Sequence, residues 1–182
     1  MKKRSCLPIL MAVWPYIFTA IVFLYSGENE ILGLIVFFGS ILLTGAIPIA
    51  NIVNACSYKD MNDDYHLAFW NMLVKLIHIP FYVGVFVFGV MLLLAAVVPG
   101  LIFITPIIVL ILIVASYLLM ITTSTYGINA IIRAKKKGTV STGFVIVNII
   151  LHVFFVTDVI SAIIVFVKMK SNKQVMYQGT QW

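Results

Sequence analysis

Acidic residues are nearly missing from this chain of 182 residues: there are 6, against 12 Lys and Arg. Charged residues of both signs make up only 10% of the sequence, where a soluble domain carries about 25%. Arginine occurs only at Arg4 and Arg133, and cysteine only at Cys6 and Cys56. Two thiols are too few for a disulfide scaffold. Disorder is excluded by composition, because 63% of the residues are hydrophobic and the mean hydropathy is +1.13. A soluble fold of this size has no interior large enough to hide that much apolar surface. A soluble globular enzyme is therefore excluded, and the lipid bilayer is the solvent for most of the chain.

The motifs of membrane and soluble enzymes are missing as well. There is no His-Glu-x-x-His pair for zinc, no Gly-rich phosphate loop, and Gly39-Ser40 lacks the setting of an intramembrane serine nucleophile. With 6 acids and 3 histidines in all, the material for acid–base chemistry is thin. The expectation is a protein without enzymatic activity, cofactor or metal, since no His or Cys neighbours have ligand spacing. Cys6 and Cys56 read as small hydrophobes near the cytoplasmic interface, where thiols stay reduced.

What is present is a set of long runs without Asp, Glu, Lys or Arg: residues 5–27, 31–58, 76–132 and 138–157. A helix needs about 20 apolar residues to cross the hydrocarbon layer. The run 76–132 is long enough for two antiparallel spans, and Pro99-Gly100 marks the turn between them. The expected architecture is an all-α polytopic bundle in a single transmembrane domain of about five spans, with four or six as alternatives. The spans are placed at 7–25, 31–50, 77–98, 101–123 and 143–167, with an amphipathic interfacial segment at 64–76 and a polar tail at 168–182. The first span follows a signal-like Met-Lys-Lys-Arg start but has no small-residue cleavage site, so it reads as an uncleaved anchor.

The basic residues flank these runs in clusters: Lys2, Lys3 and Arg4, then Arg133 and Lys135 to Lys137, then Lys168, Lys170 and Lys173. That arrangement orients a membrane protein and contacts anionic lipid headgroups, whereas nucleic acid is not an expected partner. With a cytoplasmic N-terminus, nine of the twelve lie on the inner side and the tail with its three lysines lies outside. The protein is therefore expected in the plasma membrane as a multi-pass protein. The bilayer is its first partner, and a membrane protein or a second copy of itself is the next.

Polar residues concentrate toward the inner ends of the spans. Asp64, Asn71, Lys75, His78 and Tyr82 fall on one helical face. Asn54, Tyr126, Asn129, Asn148 and His152 occur at similar depth on other spans. A buried polar group without a partner costs several kcal/mol in hydrocarbon, so these side chains should face one another or water. The candidate ligand- or partner-facing set is Asn54, His78, Tyr82, Tyr126, Asn129, Asn148, His152 and Asp158. For the stripe that contains Lys75, the favoured reading is an interfacial segment with Lys75 snorkelling to headgroups, and the alternative is a polar wall facing a cytoplasm-open cavity among the spans. His152 and Asp158, six residues apart on one continuous helix, would point about 120° apart and not pair.

The run Lys75-Leu-Ile-His78-Ile-Pro80-Phe-Tyr82, together with Thr123-Ser-Thr-Tyr126-Gly127 and Asp158-Val-Ile-Ser161-Ala, resembles an uncharacterised family of small multi-span membrane proteins of Gram-positive bacteria. The resemblance spans about residues 67–166 and implies no activity or site residues. The functional expectation is a small binding, accessory or transport-associated subunit with a cytoplasm-facing polar site. The alternative is a small transporter, or the substrate-capturing subunit of one, using His152 and Asp158. A membrane enzyme ranks third.

Overall fold

The computed structural model describes residues 6–25, 30–58 and 64–179, with side chains as far as Gln174. Every regular element among the described residues is helical: α1 (Cys6–Leu24), α2 (Glu30–Cys56), α3 (Asp64–Ala95), α4 (Ile104–Lys136), α5 (Thr142–Leu151) and α6 (Phe155–Gly179). The first four are long and apolar enough to cross a membrane. At 1.5 Å per residue, α3 and α4 are each about 50 Å long. The chain reverses between them through successive turns at residues 96–103, around Pro99-Gly100.

Side-chain pairs fix the directions. Lys75 meets Ser124, and Asp64 meets Lys137 at 3.0 Å, so α4 runs antiparallel to α3. The ring pairs Tyr16–Phe81 and Phe23–Phe88 set α1 parallel to α3. Trp14 donates to Thr44, and Arg133 donates to the carbonyl of Tyr58, which brings the C-terminal half of α2 to the same end as the start of α1 and the end of α4. That end holds the packed core: Ala55, Leu67, Ala68, Tyr126, Ala130, Ile131, Ala134, Val165 and Met169. Its alanines let the backbones approach closely.

The segment expected as a fifth span is two helices, and this is the main correction to the sequence reading. α5 enters beside α4 for about 15 Å and stops at His152. α6 then runs back along α3: Phe155 stacks on Tyr82 with ring centroids 4.7 Å apart, Asp158 reaches Lys75, Phe166 lies against Phe69 and Tyr65, and Lys173 covers the Tyr65 ring. As the residue number rises along α6 it falls along α3. The α6 tail therefore ends beside Arg133 to Lys137, and residues 168–179 continue the helix.

The reversal frees carbonyls that must find partners, since a buried carbonyl without one is costly. The Thr157 hydroxyl donates to Leu151 O at 2.8 Å, the Tyr117 hydroxyl donates to Val153 O at 3.2 Å, and the His152 amide donates to Asn148 O. At the other end of α5, Gly138 has φ 73° and closes α4, and Ser141 caps α5 by accepting from the Phe144 amide. A glycine is needed there because a side chain is strained in the left-handed region.

Candidate functional site

Three helices and the hairpin apex enclose one polar cluster. Lys75 on α3 forms a salt bridge with Asp158 on α6, and both side chains are at most 3% exposed. The same carboxylate oxygen, Asp158 Oδ1, lies 2.6 Å from His152 Nδ1 and 3.1 Å from Ser124 Oγ. Ser124 Oγ also accepts from Lys75 Nζ at 2.8 Å and reaches the carbonyl of Met120. The break after His152 makes this possible: His152 keeps its helical hydrogen bond to Asn148 at the end of α5, and the reversed α6 carries Asp158 back to its ring, so the 120° separation of a continuous helix does not apply. Lys75 points inward to its counter-charge, not outward to headgroups as the sequence suggested.

The Asp158 carboxylate selects the His152 tautomer with its proton on Nδ1, which leaves Nε2 as the free ring nitrogen. In a hydrolytic triad a serine faces that nitrogen. Here Ser124 sits on the carboxylate instead, so the three side chains do not assemble an activated nucleophile.

Beside His152 Nε2 the interior is polar and unpaired. Asn71 on α3 is completely buried, and neither its Oδ1 nor its Nδ2 has a protein partner; His152 Nε2 and His78 Nε2 are likewise buried without one. Asn71 and His152 meet over Gly127 of α4. A Cβ added at Gly127 would lie 2.5 Å from Asn71 Nδ2 and 2.8 Å from His152 Nε2. Gly127 thus provides the close approach that lets α3 and the hairpin apex touch α4. His78 Nδ1 is 2.6 Å from Val74 O of its own helix, and its ring lies near Tyr82 and Phe81.

The remaining candidate residues separate into other groups. Asn54 Nδ2 donates to the Tyr126 hydroxyl at 3.0 Å, and that hydroxyl donates to Asn51 Oδ1 at 2.8 Å, forming a buried network between α2 and α4. Ser124 and Tyr126, two residues apart, face different sides of α4 because each residue turns the helix by about 100°. Asn148 stitches the hairpin: its Oδ1 accepts from Ser161 Oγ at 2.9 Å, and its Nδ2 donates to Phe144 O. Asn129 is half-buried, donates to Thr125 O of its own helix and stands apart from both networks. Tyr82 is half-buried against Phe155.

The candidate set read from the sequence did not include Lys75, Asn71, Ser124, Gly127, Asn51 or Ser161. The stripe from Asp64 to Tyr82 did contain Asn71 and Lys75, and it is the one signal that pointed at them. Among the described residues no three His, Cys, Asp or Glu side chains gather as a metal ion would require.

The family comparison covers this whole arrangement, from α1 through most of α6. The chain belongs to the Family of unknown function (DUF6652), whose family model matches residues 5–171. That range includes the three motifs of the sequence resemblance and extends well beyond residues 67–166. No curated protein and no solved structure matches the chain.

Proposed function

We propose that this protein is a non-enzymatic plasma-membrane subunit, a binding or transport-accessory component whose polar site opens to the cytoplasm beneath the α5–α6 hairpin. The observation that carries this reading is the set of buried, unpartnered atoms on Asn71, His78 and His152 beside the Lys75–Asp158 pair. Each unsatisfied buried polar atom costs roughly 1–3 kcal/mol. A state in which water, a polar ligand or a partner segment meets those atoms is favoured by that amount, and the hairpin is the element whose movement admits it.

Orientation rests on charge. Lys75 aside, every described Lys and Arg lies at the end where α4 and α6 finish, and the described residues of the opposite end carry none. Basic residues are retained on the cytoplasmic side, so that end is assigned to the cytoplasm together with the start of α1. The polar clusters lie in the same half. The distant half is apolar apart from Glu30 at its rim and hydroxyls such as Thr105 and Ser116, which bond or pack within the helices. A one-sided site suits capture better than permeation, which requires a path through both halves.

A second reading, a small transporter or its substrate-capturing subunit, is favoured by one observation: three ionisable side chains meet at a discontinuous helical element, the place where carriers hold coupling ions. The two readings part at Asp158→Asn, which abolishes flux in a carrier but lowers only stability or partner binding in an accessory subunit.

Solvent access tests the lead reading. In a Cys6→Ser, Cys56→Ser background, Ser124→Cys and Ser161→Cys are expected to react in inverted vesicles with a membrane-impermeant thiol reagent, while Val87→Cys and Leu110→Cys in the apolar half do not. Equal or lower reactivity at 124 and 161 would remove the cytoplasm-open site.

A further inference from the structure

Between the first turn of α5 and the middle turns of α6 lies a surface groove of about 430 Å³, lined by Phe144, Ile163, Ile164, Val167, Lys168 and Ser171. We propose that this groove is a lipid site, holding one acyl chain of an anionic phospholipid against Ile163, Ile164 and Val167 with its phosphate on Lys168 and Ser171. The inference is independent of the polar cluster, which lies on the opposite, buried face of α6.

Polarity along the groove supports a lipid. Its apolar part points toward the hairpin apex and its polar lip toward the basic end. From Ile163 to Ser171 the helix rises about 12 Å, so an amphiphile aligned with α6 has its chain in hydrocarbon and its headgroup at the lip. Lys168 and Ser171 are three residues apart on one helical face and can contact the same headgroup. Ile163, Ile164 and Val167 are all exposed, open to an acyl chain from the surrounding bilayer.

Charge selects the headgroup. Lys168 and Ser171 stand at the end that also carries Arg133, Lys135, Lys136, Lys137, Lys170 and Lys173. Asp64, the described carboxylate at that end, is taken up by Lys137 at 3.0 Å. Among the described residues the lip therefore presents a cationic field without a carboxylate partner of its own, which attracts an anionic headgroup over a zwitterionic one. A second copy of the chain is a poor occupant: seated in the groove in the same membrane orientation, it brings a second basic end against the first.

The test uses the full chain in detergent micelles with defined lipids and native mass spectrometry. Phosphatidylglycerol is expected to stay bound at one molecule per chain when phosphatidylcholine is washed off, and glycerol phosphate, which has no acyl chain, is expected not to bind. Lys168→Glu reverses the charge at the lip and should weaken phosphatidylglycerol retention at least about tenfold, since the reversal removes one attraction to the headgroup and adds one repulsion. Ile164→Trp fills the groove and should abolish retention, with both variants keeping the wild-type helical signal and melting temperature. Equal retention of the two phospholipids, or retention unchanged in both variants, would overturn the proposal. So would Ile164→Cys chains crosslinking to each other in membranes, which would assign the groove to a second copy.

Discussion

Replacing Asp158 by Asn is expected to lower the thermal stability of the purified protein more than any other single substitution in its polar interior. The change leaves the Lys75 ammonium, almost completely buried, without its counter-charge, and takes from His152 and Ser124 the oxygen they share. Removing one partner of a buried ion pair costs about 3–5 kcal/mol because the other charge stays desolvated. Lys75→Met should cost a similar amount by stranding the carboxylate. The double variant Lys75→Met, Asp158→Asn should recover most of the loss, since both charges and their desolvation penalties disappear together. Melting curves of the four proteins in one detergent complete the cycle. Additive single effects, with no recovery in the double variant, would mean that the two side chains are not energetically coupled.

The second large effect is expected at Gly127. An added methyl group in Gly127→Ala has no space between Asn71 and His152, and overpacking of a close contact costs about 1–3 kcal/mol. The displaced group is the hairpin apex or the Asn71 amide, so the loss should appear as faster proteolysis or hydrogen exchange in α5 as well as a lower melting temperature. Pairing the change with Asn71→Ala removes the amide in the way and should restore part of the stability. Gly127→Ala melting like the wild type would show that α3, α4 and the hairpin do not converge there.

The residues explain what sequence reasoning could and could not reach. The four long helices follow from charge-free runs and from Pro99-Gly100, signals that are local and need no partner. The hairpin has no such signal. Residues 152–154 are His, Val and Phe, with neither proline nor glycine to break a helix. The break is held by Thr157 from the following turn and by Tyr117 from α4, 36 residues away. An uninterrupted helix was the reasonable reading of such a segment, and it separated His152 from Asp158. The same holds for Lys75: its counter-charge is 83 positions along the chain, so an inner-leaflet lysine looked like a headgroup contact. Asn54, Tyr126, Asn148, His152 and Asp158 were visible as polar residues at similar depth. Their division into the Asn54–Tyr126 network, the Asp158 cluster and the Asn148–Ser161 pair is a detail that only the packed helices determine.

The return of α6 is the feature on which the Lys75–Asp158–His152 cluster, the lipid groove and the placement of the basic residues all depend. Cysteine labelling tests it most directly. In a Cys6→Ser, Cys56→Ser background, Lys136→Cys at the end of α4 and Lys170→Cys near the end of α6 are probed with a membrane-impermeant reagent in intact cells and in inverted vesicles. The hairpin places both positions on one side, so both should be silent in cells and label in vesicles. Labelling of Lys170→Cys in intact cells while Lys136→Cys stays silent would put a fifth span between them and contradict the account.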